Sequence, residues 1–135
     1  MKISDILSSD VIEVNLDVKD KDDSLQKIIS LAAKSERILD IDKVTETIFE
    51  REKLVSTGVG KGFAIPHGKT DAISDIVSAF IITKNPIDFD SIDGEPVRFI
   101  FLLVGAVVKV VWHMISEVIK LFIDIANDVS GIRLK

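Results

Sequence analysis

Val97-Arg98-Phe99-Ile100-Phe101-Leu102-Leu103-Val104 is apolar at every position but Arg98. A strand with one wet face alternates polar and apolar residues, so this unbroken run predicts a central strand covered on both faces. Just upstream, Asp93-Gly94-Glu95-Pro96 is a turn signal. Before that, Ile76 to Ile82 reads as a neighbouring strand, closed by the turn residues Lys84-Asn85-Pro86. Phe63-Ala64-Ile65 is a shorter apolar run that Pro66 terminates, since proline has no N–H to give a ladder. Val11 to Leu16 predicts a further strand with Ile12, Val14 and Leu16 on one face.

Helices surround these runs. Asp20-Lys21-Asp22-Asp23-Ser24 supplies capping residues ahead of Leu25, Ile28, Ile29, Leu31 and Ala32, which recur at helical spacing. A second amphipathic helix starts at about Asp42, carries Val44, Ile48 and Phe49 inward, and ends in Glu50-Arg51-Glu52-Lys53. His113 to Ala126 forms a third, with Ile115, Val118, Ile119, Phe122 and Ile123 on its buried side. This order predicts an α/β fold: a single domain over residues 1–135 with a mixed β-sheet flanked by helices on both faces. A chain of 135 residues buries one core, not two.

Composition narrows the function. The chain has no cysteine, which excludes disulfides, thiolate metal sites and a cysteine nucleophile. A net charge of -5 argues against nucleic-acid binding, which rests on a basic face. Met1-Lys2-Ile3-Ser4-Asp5 opens no signal peptide. The most span-like segment, Phe99 to Trp112, contains Lys109 and is shorter than the roughly 18–20 apolar residues a membrane span needs. A soluble, cytoplasmic protein is expected.

Only His67 and His113 offer imidazole chemistry. His67 lies in Gly60-Lys61-Gly62-Phe63-Ala64-Ile65-Pro66-His67-Gly68-Lys69, just past a strand end and boxed by proline and glycine. Such a histidine either caps the turn or serves as a nucleophile, one ring nitrogen attacking while the other is held by a hydrogen bond. The glycine-rich run fits neither a phosphate loop nor a dinucleotide fingerprint, because the required spacing is missing. It feeds a strand as a flexible turn, unless backbone N–H groups near Thr57 and Gly58 bind an anion. Arg51, in a last helical turn, either complements the helix dipole or clamps phosphate oxygens with its planar fork. His113 begins a helix, either packed beside Trp112 or aimed at an anion near the helix N-terminus. Metal binding has little support, since His113 and Glu117 are the one ligand pair including a histidine at helical spacing within a predicted helix and supply two ligands at most.

Taken together, Arg51-Glu52, Ser56-Thr57-Gly58-Val59-Gly60, Gly62-Phe63-Ala64-Ile65-Pro66-His67-Gly68-Lys69, Pro86-Ile87-Asp88-Phe89 and Asp93-Gly94-Glu95-Pro96-Val97 resemble the enzyme IIA domain of the bacterial phosphoenolpyruvate-dependent sugar phosphotransferase system. The likeness is to the fructose–mannitol class, to which a nitrogen-regulatory branch is related. It implies that His67 takes a phosphoryl group on Nε2 from the phosphocarrier protein HPr and passes it to a cysteine of an enzyme IIB domain for sugar uptake. It also implies that His113 is the second active-site histidine, that Arg51 neutralises phosphoryl charge, and that Thr57 and Gly58 line the phosphate pocket. No cofactor, metal or direct sugar contact is implied. The alternative is a regulatory IIA-like protein whose phosphorylation state controls a binding partner. Two departures stand out. Gly105 to Trp112 is apolar and β-branched where the family is polar and loop-like, which bears on the position of His113. Gly131 reads as a helix stop, so the family's final helix is expected to be shortened or missing, and self-association would cover the resulting patch.

Overall fold

The computed structural model describes residues 3–105 together with Glu117, Lys120, Leu121 and Asp124. A four-residue helix α1 (Ile3–Ile6) precedes β1 (Ile12–Leu16), α2 (Lys21–Ala32) and α3 (Ile41–Leu54). Five strands follow: β2 (Gly58–Gly60), β3 (Phe63–Ala64), β4 (His67–Lys69), β5 (Val77–Ile87) and β6 (Val97–Gly105). Both long helices start at an aspartate whose carboxylate accepts an otherwise unsatisfied backbone N–H: Asp20 from Asp23 at 2.8 Å, Asp40 from Lys43 at 3.2 Å.

The six strands form one mixed sheet in the order β1-β5-β6-β3-β2, with β4 also on β6. β5 runs antiparallel to β6, while β3 and β4 run parallel to it and β1 runs parallel to β5. β6 is central, as its unbroken apolar run predicts. Successive side chains of a strand point to opposite faces. Ile100, Leu102 and Val104 accordingly join Leu25, Ile28, Val44 and Ile48 in a core beneath α2 and α3. Phe101 and Leu103 pack on the other face with Phe63, Ile65 and Ile6 of α1. Of the helix expected over 113–126, the four described residues are helical and exposed. His113, the 105–112 passage beyond Gly105 and the helix stop at Gly131 lie outside the described residues.

β1 forms where predicted, at the edge of the sheet, with Ile12 and Val14 exposed. Two local expectations are corrected. Lys84-Asn85-Pro86 is no turn: β5 continues through it to Ile87, with the register against β6 shifting between Ile82 and Ile87. A bulge absorbs the proline that a regular ladder would refuse. Lastly, His67 does not trail off a strand end. It begins β4, and Phe63, Ala64 and His67 face Phe99, Ile100 and Leu103 in one continuous register, so β3 and β4 are a single strand interrupted at Ile65-Pro66.

Candidate functional site

The interruption is what presents His67. Pro66 cannot donate to β6, yet its carbonyl accepts from Leu103 N–H at 3.1 Å, so the strand is pinned on the far side of the break. Ile65 N–H turns the other way and donates to the Thr57 carbonyl at 3.0 Å. The Ile65 carbonyl then meets Nδ1 of His67 at 2.8 Å. A carbonyl oxygen only accepts, so the hydrogen sits on Nδ1 and the lone pair of the neutral ring lies on Nε2.

His67 is more enclosed than a histidine at an open strand end: 8 % of the residue is exposed. β6 lies on one side of β4 and α3 packs over it. Gly68 allows that approach, because a Cβ there would lie 3.0 Å from Thr47 Cγ2 and 3.2 Å from Ile48 Cδ1. Arg51 follows Thr47 by one helical turn, so the same close approach brings its guanidinium to the site. Burial pushes the pKa of His67 below its ordinary 6.5, the Ile65 carbonyl opposes this, the Arg51 charge lowers it further and Glu52 raises it. The ring is neutral at pH 7, as a nucleophile must be.

Arg51 fills the first of the two roles open to it in sequence, and its charge reaches the site. Its Nη1 donates to the Val55 carbonyl at 2.8 Å, closing the end of α3, while its positive charge acts on His67. Thr57 is buried, and both its donors go to one carboxylate: N–H to Glu52 Oε2 at 3.0 Å, and the hydroxyl to Glu52 Oε1. Gly58 is packed against the 88–94 loop. Its carbonyl accepts from Ile92 N–H at 3.1 Å, and an added Cβ would come within 2.9 Å of Ser91 Cα. His113 is not among the described residues. Its place relative to His67, Arg51, Thr57 and Gly58 is therefore not described.

Glu52 is the residue that sequence reasoning missed. It sits in a charged run at a helix end, the usual mark of a solvated face, yet only 7 % of it is exposed. Lys21 at the start of α2 neutralises it, Nζ to Oε2 at 2.9 Å, and the same ammonium lies 4.8 Å from the centre of the Phe89 ring. A carboxylate stays charged at such burial only when paired and hydrogen-bonded. The signal was available: Glu52 continues the four-residue spacing of Val44 and Ile48, the buried stripe of α3.

The family model for the phosphoenolpyruvate-dependent sugar phosphotransferase system, EIIA 2, matches residues 5–130. The chain belongs to this EIIA family. A nitrogen regulatory protein of Bradyrhizobium diazoefficiens is 41% identical to this EIIA domain over 109 residues, 78% of the chain and 68% of that protein. A fructose-specific EIIABC component of Bacillus subtilis is 33% identical over 103 residues, 76% of the chain but only 16% of that much longer protein. Among solved structures, the nitrogen regulatory protein IIA-Ntr from Neisseria meningitidis superposes with a TM-score of 0.76 at 34% identity, over 95% of this chain and 84% of that one. Among the described residues of the EIIA domain, no helix is long and apolar enough to cross a membrane.

Proposed function

We propose that this EIIA domain is a phosphocarrier whose acceptor atom is Nε2 of His67. The observation that carries the reading is the hydrogen bond from Nδ1–H to the Ile65 carbonyl, which leaves the lone pair of a neutral ring on Nε2. The donor is the phosphohistidine of HPr. Nε2 attacks the phosphorus, the N–P bond of the donor breaks, and the donor imidazole departs with the electron pair. Arg51 offsets the charge spread over the three transferring oxygens, and His113 is the second donor to them. The Nδ1 proton stays in place throughout.

In the transport reading, the phosphoryl group then moves to the cysteine sulfur of an IIB domain, the N–P bond breaking as the S–P bond forms, and no sugar touches this chain. A second reading is favoured by the nitrogen regulatory relatives, whose identity reaches 41%. In it the phosphorylated and unphosphorylated forms differ in their hold on a regulatory partner. The protein is incubated with phosphoenolpyruvate, enzyme I and HPr, then chased with candidate IIB domains. An acid-labile adduct on His67 is expected, and its absence from His67→Ala protein. A phosphorylated His67→Ala variant would overturn the assignment. Label that reaches no IIB cysteine selects the regulatory reading.

A further inference from the structure

The buried carboxylate of Glu52 is joined to the ring of His67 by an unbroken series of hydrogen bonds. Glu52 Oε2 accepts from Thr57 N–H at 3.0 Å, and Oε1 accepts from the Thr57 hydroxyl. The Thr57 carbonyl accepts from Ile65 N–H at 3.0 Å. The Ile65 carbonyl accepts from Nδ1–H of His67 at 2.8 Å. Thr57 and Ile65 are each held through both their N–H and their carbonyl, so the direction of the Ile65 carbonyl depends on where Thr57 is held. Three elements meet at that anchor: Lys21 from the start of α2, Glu52 from the last turn of α3, and the Thr57 loop.

We infer that Glu52 is a positioning residue of the phosphoryl-acceptor site, fixing the Nδ1–H tautomer of His67 by clamping Thr57 between its two carboxylate oxygens. The inference rests on the phosphocarrier reading for its effect on rate, though not for its effect on the tautomer. The carboxylate does not touch the reacting atoms. It is suited to the task because two acceptor oxygens on one rigid group fix a residue's position and its rotation, where a single acceptor would leave a hinge. Lys21 pairs with that carboxylate at 2.9 Å and also lies beside the exposed Asp90 at 3.8 Å. Loss of the clamp frees Thr57, lets the Ile65 carbonyl swing, and allows the proton to settle on Nε2, where it blocks the attacking lone pair.

The test separates geometry from charge. In Glu52→Gln, the amide oxygen takes the place of Oε2 and accepts from Thr57 N–H and Lys21, while the amide N–H₂ donates to the Thr57 hydroxyl oxygen. The clamp survives without its charge. In Glu52→Ala it is gone. The full chain is labelled with ¹⁵N-histidine, the His67 signals are recognised by their loss in His67→Gln, and the ring shifts report the tautomer with no phosphoryl donor present. Wild type and Glu52→Gln are expected to hold Nδ1–H, and folded Glu52→Ala to show a mixture. Phosphoryl uptake from HPr is expected to fall roughly 10- to 100-fold in Glu52→Ala, by analogy with the partners that orient a metal-ligating histidine, and to be rescued by Glu52→Gln. A wild-type tautomer in folded Glu52→Ala overturns the inference, and so does a Glu52→Gln ring as mixed as that of Glu52→Ala. Should Glu52→Ala fail to fold, Thr57→Val decides: it removes the hydroxyl bond alone, and an unchanged tautomer there sinks the idea while a partial shift sustains it. A wild-type protein that takes no phosphate would defeat the phosphocarrier reading and leave the tautomer comparison standing.

Discussion

His67 is held so that charging it is unfavourable. Burial is the first cause, the neighbouring guanidinium of Arg51 adds to it, and the Ile65 carbonyl and Glu52 pull the other way. The folded protein therefore binds this proton less readily than the unfolded chain, whose histidine titrates near 6.5. Above 6.5 both states are neutral here and the group contributes nothing. As pH falls below 6.5 the unfolded state gains the proton first, so stability declines down to the folded pKa and levels off beneath it. The rate of phosphoryl uptake follows the neutral fraction, so its acid limb should inflect below 6.5. A pH–rate profile inflecting at or above 6.5 would show a ring that is not enclosed. Arg51→Ala removes a charge that disfavours the imidazolium, so the inflection should move up towards 6.5. Uptake in that variant should fall on the order of 10²-fold, as for other donors aimed at developing charge. The candidate ring was legible from Pro66 and Gly68 around it. Its enclosure was not, because burial of one position depends on what a distant helix does, and nothing local to His67 announces α3.

Gly68 shows how one element is seated on another. With no Cβ, β4 lets Thr47 and Ile48 of α3 come within contact distance, and Arg51 rides on the same helix. In Gly68→Ala the side chains of Thr47 and Ile48 must give by a few tenths of an ångström, and α3, which carries them, is expected to shift. A cost of about 1–3 kcal/mol is expected from such overpacking, with slower uptake because Arg51 moves as well. Chemical denaturation and phosphoryl transfer on the same variant check the two together; a stable variant with normal uptake would show that the helix has room to spare. The opposite expectation holds for the edge. Ile12 and Val14 of β1 are exposed, so Ile12→Thr or Val14→Thr should change stability by no more than about 0.5 kcal/mol. The elements differ in how far they can be read in sequence. β6 is plain because an all-apolar run has few other uses. The extension of β5 past Lys84-Asn85-Pro86 is hidden because a bulge and a turn draw on the same residue types. The burial of Glu52 is masked by charged neighbours, although its spacing from Ile48 and Val44 continues the apolar stripe.

At the scale of the whole molecule, β6 belongs to both cores at once. Ile100, Leu102 and Val104 face the helices, while Phe101 and Leu103 face the opposite layer. Neither core can lose its contacts without displacing a strand the other needs, so the two should unfold together. The site depends on the same strand, since β4 pairs with β6 through His67 and Leu103. Leu102 is fully buried on the helix side, away from the layer that contains Leu103. Leu102→Ala is expected to cost roughly 2–5 kcal/mol, the range for a leucine removed from a core. In a domain of 135 residues this lowers the thermal midpoint by about 6 to 20 °C. Far-UV circular dichroism, reporting the helices and sheet, and the ¹⁵N signals of the His67 ring, reporting the site, should show one shared midpoint in wild type and in the variant. Two separate transitions would mean that the layers melt independently, and that β6 couples them less tightly than its alternating side chains require.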